Sequence, residues 1–330
     1  MTGLRVGVLM WLSIAAALLA APAGAGAQEY PTKPVELIVP FVPGGGTDLI
    51  ARLASDYLTK KWGQPVLVVN KPGGGGVAGA RAALKDARPD GYTALVDIHT
   101  TSSMLIGAWK VPPLTLADRK YAGRIVLDPM VFVVKTDAPW RDFKELTAWV
   151  KEDPTRLVWG SVGPAGPSRY AANDWFAQVG IETAKTKMVI TEGAADSITK
   201  LAGGHLTLAI HSVAEAHALT QAGKIRALAV LAPKRVRYLP QVPTAEEQGV
   251  MKGVNVHWWA GIALASAVPD AVVKKWEATL AEMVKDPEFL AKADRISMNI
   301  DYLSAAQLRA FVEKEAGFYT DLAGRIGIRK

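Results

Sequence analysis

Three glycine-rich turns offer places where the main chain itself could bind a ligand. They are Pro43-Gly44-Gly45-Gly46-Thr47-Asp48, Gly73-Gly74-Gly75-Gly76 and Gly160-Ser161-Val162-Gly163-Pro164-Ala165-Gly166-Pro167-Ser168. Each follows an apolar, strand-like run and precedes a helical pattern. Such a turn presents unpaired N–H groups at a helix start, where the dipole adds about half a positive charge, and the chemistry it suits is capture of a carboxylate. Glycine also serves simply to tighten a turn. Three turns at equivalent places in an alternating β/α pattern nevertheless point to one site at the carboxyl ends of strands.

The side chains near these turns add donors more than catalysts. Ser161 and Ser168 are hydrogen-bond donors; as nucleophiles of a secreted serine hydrolase they need a base that the surrounding sequence does not supply. His205, His211 and His217 share one stretch with Glu215. His211 and Glu215 could share a helix face, but His217 falls roughly 240° round from His211, so the three do not converge on a metal. His211, placed just after an apolar run ending at Ile210, reads as a ligand contact. Gly74-Gly75-Gly76-Val77-Ala78-Gly79 satisfies G-x-G-x-x-G, with Asp97 downstream in the place of the ribose-binding acid. Against a dinucleotide, Asn70-Lys71-Pro72 separates strand from glycines where that motif wants a tight turn. No cofactor and no metal is expected.

The elements that must hold these groups alternate between strand and helix, the pattern of an α/β fold. Val35–Val39 reads as a strand, a helix begins near Thr47 and ends at Gly63, and strands at Val66–Val69 and Tyr92–Val96 flank a helix from Val77 to about Asp86. After the Pro-containing stretch from Val111 to Leu116 the pattern restarts: strand Val131–Val134, helix Phe143–Glu152, strand Leu157–Trp159, helix Ser168–Gln178, strand Met188–Ile190. Strands at Leu206–Ile210 and Ala227–Leu231 enclose a helix from Val213 to Ala222. A strand at Trp258–Leu264 leads to helices at Asp270–Val284 and Ser304 to about Ile326, the last opened by the capping box Ser304-Ala305-Ala306-Gln307.

The first 27 residues carry one charge, Arg5, then an apolar run from Val6 to Ala21 and Ala25-Gly26-Ala27 before Gln28. A short basic end, a core too brief for a permanent anchor and a small-residue cleavage position describe a secretory signal peptide, cut after Ala27. A chain exported unfolded would not bring a cytoplasmic nucleotide with it. The remaining length suggests about two lobes. A modest surplus of +7 over 330 residues, with no basic block, argues for anionic small ligands and against nucleic acid. Cysteine is absent, which excludes disulfides, thiolate metal sites and a cysteine nucleophile.

Ordered motifs along the chain resemble the Bug family of extracytoplasmic solute receptors of tripartite tricarboxylate transporters. They are Tyr30-Pro31-Thr32-Lys33-Pro34, Ile38-Val39-Pro40-Phe41-Val42-Pro43-Gly44-Gly45-Gly46-Thr47-Asp48, Gly63-Gln64-Pro65-Val66, Asn70-Lys71-Pro72-Gly73 and Pro89-Asp90-Gly91-Tyr92-Thr93. Later come Gly223-Lys224-Ile225-Arg226-Ala227-Leu228-Ala229-Val230 and Leu239-Pro240-Gln241-Val242-Pro243-Thr244. The resemblance implies a two-lobed periplasmic binding protein fold of type II, each lobe a mostly parallel sheet flanked by helices and the lobes joined by crossover strands. Lobe 1 would comprise residues 28–128 and 255–330, lobe 2 residues 129–254.

It further implies a monomer in the periplasm that takes a small organic acid and delivers it to membrane permease subunits; a ligand-sensing subunit for a signalling receptor is the alternative. The implied ligand-binding set is Gly45, Gly46, Thr47 and Asp48 on one side and Ser161, Gly163 and Ser168 on the other. Asp97, His99 and Thr100 would lie on the floor, with Thr191 and His211 completing it. The family usually has tyrosine-lysine-glycine where this chain has Thr191-Glu192-Gly193, and an acidic residue where His211 stands, so the ligand's polar groups are expected to differ from those of ordinary dicarboxylates.

Overall fold

β1 (Val35–Val39) is buried apart from Glu36, as a continuous apolar run should be at the centre of a parallel sheet. The structure, a computed structural model, describes residues 30–163, 166–253 and 256–329. The expected signal peptide, and Pro164 and Ala165 of the third glycine-rich turn, lie outside the described residues. From Lys33 onward the chain forms one compact unit.

The first sheet runs β10-β4-β9-β3-β1-β2. β1 is parallel to β2 (Val66–Asn70) and to β3 (Thr93–Ile98). β9 (His257–Ala265) lies antiparallel between β3 and β4 (Arg119–Lys135), and β10 (Ile300–Ser304) closes the edge against β4. Helices α1 (Gly46–Trp62), α2 (Val77–Arg81, continued by a wider turn to Asp86) and α3 (Ser103–Ala108) follow β1, β2 and β3. Ile38, Leu95, Trp259 and Ala263 form this half's core with Leu308 and Val312.

β4 continues past Pro129 into a second sheet, where Met130–Lys135 pairs with β7 (Ala209–Ser212) and β8 (Ile225–Leu231). Alongside it, β5 (Val158–Val162) is parallel to β6 (Lys187–Thr191), and Trp159 bridges to Leu208 at the foot of β7. Among the described residues, the α-helices α4 (Phe143–Glu152), α5 (Pro167–Val179), α6 (Ala194–Ala202) and α7 (Val213–Gln221) belong here. A second core gathers Val131, Val133, Ile198, Leu201, Val213 and Val230. The chain then returns through β9 to the first half and ends in α8 (Asp270–Met283), α9 (Pro287–Arg295) and α10 (Ala305–Arg325).

Three differences from the sequence reading have local causes. The strand at Val131–Val134 is only the end of a 17-residue β4. Its first part was hidden by Arg119, Arg124 and Asp128, which are buried and paired with Asp97, Asp301 and the Ala214 N–H. The run Leu206–Ile210 becomes a strand only from Ala209 to Ser212, so His211 lies within β7 and not beyond it. Helices α3, α6 and α9 and strand β10 were not anticipated; α9 does carry ordinary signals, Asp286 accepting from Phe289 N at 2.8 Å with Pro287 in its first turn.

Candidate functional site

The turn after β1 is held from beneath by Asp48. Its carboxylate accepts from Gly44 N, from Arg52 Nε and Nη2 and from Asn70 Nδ2, all at 2.9 to 3.0 Å. Burial works to raise its pKa, but these partners outweigh it and hold the group below the usual range. This fixes Gly45 as the cap of α1 and leaves the Thr47 N–H in the first turn, ahead of the first intrahelical acceptor.

A second buried anion shapes the turn after β3. Asp97 binds Arg119 Nη1 at 2.6 Å, both side chains fully buried, and accepts from Thr101 Oγ1 at 2.6 Å. Above this clamp His99 and Thr100 meet at 3.2 Å between Nε2 and Oγ1. Burial lowers the His99 pKa to about 4, so the ring is neutral at physiological pH.

Opposite them, β7 delivers His211 and α7 delivers Glu215. Ser212 caps α7 in a reciprocal box with Glu215, whose Oε2 accepts from Ser212 N at 3.3 Å. The other oxygen reaches across to the first half and accepts from Gly46 N at 3.1 Å. His211 Nδ1 lies 3.7 Å from Glu215 Oε2, while its Nε2 is buried with no partner among the described residues. Burial favours the neutral acid, yet His211 and the two amides prevail and keep the Glu215 pKa low. Behind this pair, Asp128 accepts from Ala214 N at 2.7 Å.

These groups surround a cavity of about 40 Å³ between the two halves. Gly45, Gly46, Thr47, His99, Thr100, His211 and Glu215 are on its wall, with the start of α6 at Gly193, Ala194 and Ala195. Phe41, Val42, Ile98, Met130, Val162 and Trp258 supply an apolar lining. No lysine or arginine is among the described residues of this wall. The strand period turns Trp258 to the cavity and its neighbour Trp259 into the core.

The sequence-derived set therefore divides. Gly45, Gly46, Thr47, His99, Thr100 and His211 come together. Gly163 and Thr191 line an adjoining space of about 320 Å³ that shares Phe41 and Val162 with the first, and Thr191 Oγ1 is buried without a partner among the described residues. Asp48 and Asp97 lie beneath the wall in the bonds described above. Ser161 Oγ donates to Gly163 O at 3.0 Å and Ser168 Oγ to Ile210 O at 2.7 Å; both residues are fully buried, and neither hydroxyl meets a histidine. His217 turns away to Ser297, 2.6 Å from Nδ1 to Oγ. Sequence reasoning missed Glu215 as a wall residue; Ser212-x-x-Glu215 after an apolar run is a capping signature that would have placed it at the head of α7.

The third glycine of the dinucleotide-like run has a packing role. A Cβ at Gly79 would fall 2.6 Å from Lys71 O and 2.7 Å from Pro40 Cα. Gly73 to Gly76 all adopt positive φ, from 59° to 135°, which accounts for the glycines without a phosphate.

Comparison with known proteins gives the family and the fold. A family model described as "Tripartite tricarboxylate transporter family receptor" matches residues 50–327. A UPF0065 protein of Bordetella pertussis is 32% identical over 280 residues, 83% of each chain. The solved structure of the periplasmic binding protein BugD superposes with a TM-score of 0.83 at 27% identity, covering 91% of this chain and all of that one. R. palustris Rpa4515, solved with adipate, gives a TM-score of 0.84 at 25% identity over 91% of this chain and 99% of that one. The fold is the two-lobed one of periplasmic binding proteins.

Proposed function

Because this chain belongs to the family of tripartite tricarboxylate transporter receptors, we propose that it captures a small organic acid between two hinged lobes and hands it to the permease subunits of such a transporter. The lobes are residues 28–128 with 255–330, and residues 129–254. The protein works as a monomer in the periplasm, released there by cleavage after Ala27, and performs no chemistry on its cargo. The adipate carried by Rpa4515 supports an acid as the class of ligand.

The observation that carries the reading is the meeting of an unpartnered His211 Nε2, buried on the cavity wall, with the open first turn of α1. Helix starts attract a carboxylate, and exclusion of water as the lobes close strengthens each bond. Thr47 N–H and the amides of Ala194 and Ala195 are the donors for it, Thr100 Oγ1 and His211 the orienting side chains, and Gly163 and Thr191 accommodate the remainder of the molecule.

Calorimetric titration against a panel of small carboxylates is the direct test, with Thr47→Pro as the variant. The first turn tolerates proline, so far-UV dichroism should persist. Loss of one hydrogen bond to a charged group should weaken binding by about tenfold to a hundredfold. An affinity unchanged by the substitution would move the ligand elsewhere.

A further inference from the structure

We propose that the Glu215 carboxylate is an internal stand-in for that of the ligand: it occupies the anion place at the start of α1, divides the cavity from a larger space beside it, and gives way when an acid binds. The proposal rests on the receptor reading above and adds how the same cavity is filled.

Glu215 belongs to the second half of the molecule and sits on the first. Oε1 accepts from Gly46 N at 3.1 Å while Oε2 accepts from Ser212 N at 3.3 Å, and the side chain is 11% exposed. Burial works against its charge, yet the donors around it hold the pKa low, so the group is an anion. The fit is close: a Cβ at Gly46 would meet Oε1 at 3.0 Å. The start of α1 thus already holds a carboxylate, the chemistry for which a helix N-terminus is suited.

That carboxylate and a bound acid exclude each other. Gly46 N and Thr47 N are successive amides of one turn, so an acid group on the Thr47 N–H would lie against Glu215, with no lysine or arginine among the described wall residues to separate the charges. Two ionised carboxylates sharing one buried site repel strongly. Volume leads to the same conclusion: about 40 Å³ takes about three waters, well short of a dicarboxylic acid.

Room lies on the other side of Glu215. Gly45, Gly46, Ala194, Ala195 and Glu215 line both the cavity and a second space of about 370 Å³, whose far side is formed by Arg295, Ile296 and Ser297 at and just after the end of α9. Turning the Glu215 side chain off Gly46 N joins the two spaces and frees two successive amides for the acid. Arg295, exposed and in no ion pair among the described residues, offers the displaced carboxylate a cation on the rim of the larger space. α7 loses little, because Ser212 Oγ caps its first turn by accepting from Glu215 N whichever way the carboxylate points.

The test titrates the mature protein calorimetrically with the panel of small carboxylates, succinate, glutarate and adipate among them, and solves the crystal structure of its complex with the tightest binder. Glu215→Gln keeps a capping-box residue at the head of α7 and removes the competing charge. The variant should bind that acid at least about tenfold tighter than the wild type does. In the wild-type complex an oxygen of the acid should accept from Gly46 N, and the Glu215 carboxylate should have left it. Glu215 still bonded to Gly46 N in the complex, or an affinity that Glu215→Gln leaves unchanged or weakens, overturns the displacement and leaves the receptor reading standing. Should the variant fail to fold by thermal dichroism, the wild-type complex decides alone. Absence of binding by every acid of the panel overturns both.

Discussion

Asp128 is the residue through which pH should act on stability. Burial pushes its carboxyl up to about 7, with the nearby Glu215 charge adding to the rise and the Ala214 N–H opposing it. From about pH 4 to 7 the folded state therefore binds more protons at this group than the unfolded chain does. Its contribution is complete at low pH and is lost as pH rises through 7. Asp128→Asn removes that loss while retaining an acceptor for Ala214. Thermal unfolding should show the variant ahead of the wild type at pH 8, with the gap closing by pH 4; a gap independent of pH would mean that Asp128 stays charged in the fold. His99 acts with the opposite sign: its pKa, lowered to about 4, makes its share of stability fall as pH drops below about 6.5. At this scale the sequence revealed the groups that local position determines, Thr47 after its glycines and His99 and Thr100 after a strand. The Ser212–Glu215 box is a local signal that sets Glu215 at the head of α7, but its bond to Gly46, which brings it to the wall, spans 169 positions and has no local signal. Ser161 and Ser168 have the type and place of ligand contacts, yet tertiary packing gives each a carbonyl partner inside the protein.

Among the elements, α2 is the one whose seating depends on a single missing atom. Gly79→Ala would set a methyl against Lys71 O and Pro40 Cα, both main chain and unable to yield without shifting β1 or the turn after β2. A loss of about 1 to 3 kcal/mol in denaturant unfolding is expected. No loss would mean that α2 can ride outward at little cost. The same helix shows why a fingerprint can be satisfied without its ligand: close helix–strand packing asks for that third glycine whether or not a pyrophosphate is present. Elements with strong periodicity were legible to their ends, as β1 and α4 were, and Gly63 at φ +64° ends α1 as expected. The Ser304–Gln307 box opens α10 as the sequence suggested. The early part of β4 was not legible, because buried arginines and an aspartate look like surface until their partners are known.

For the molecule as a whole, the two halves share one strand and press together elsewhere. Tyr170 of α5 packs at a tilt against Tyr319 of α10, with ring centroids 4.7 Å apart, and donates to Met104 O at 3.2 Å. Heat should therefore unfold both halves in one transition. Tryptophan emission, to which Trp159 and Trp175 contribute from one half and Trp259 and Trp276 from the other, should change together with far-UV dichroism. Two separated midpoints would show that the halves unfold independently.

β4 also limits how this chain can vary in length. Arg119 to Pro129 is registered against β9, and Met130 to Lys135 against β7 and β8. A codon gained or lost at the junction would advance everything beyond it by about 3.3 Å and reverse which side chains face inward. The carboxyl-terminal half of the strand would then offer its oily side to water, and His211, anchored opposite Val131, would be carried out of line with Thr47. Surface loops can absorb such an accident; in this ribbon it would disassemble the binding crevice before it unfolded the protein.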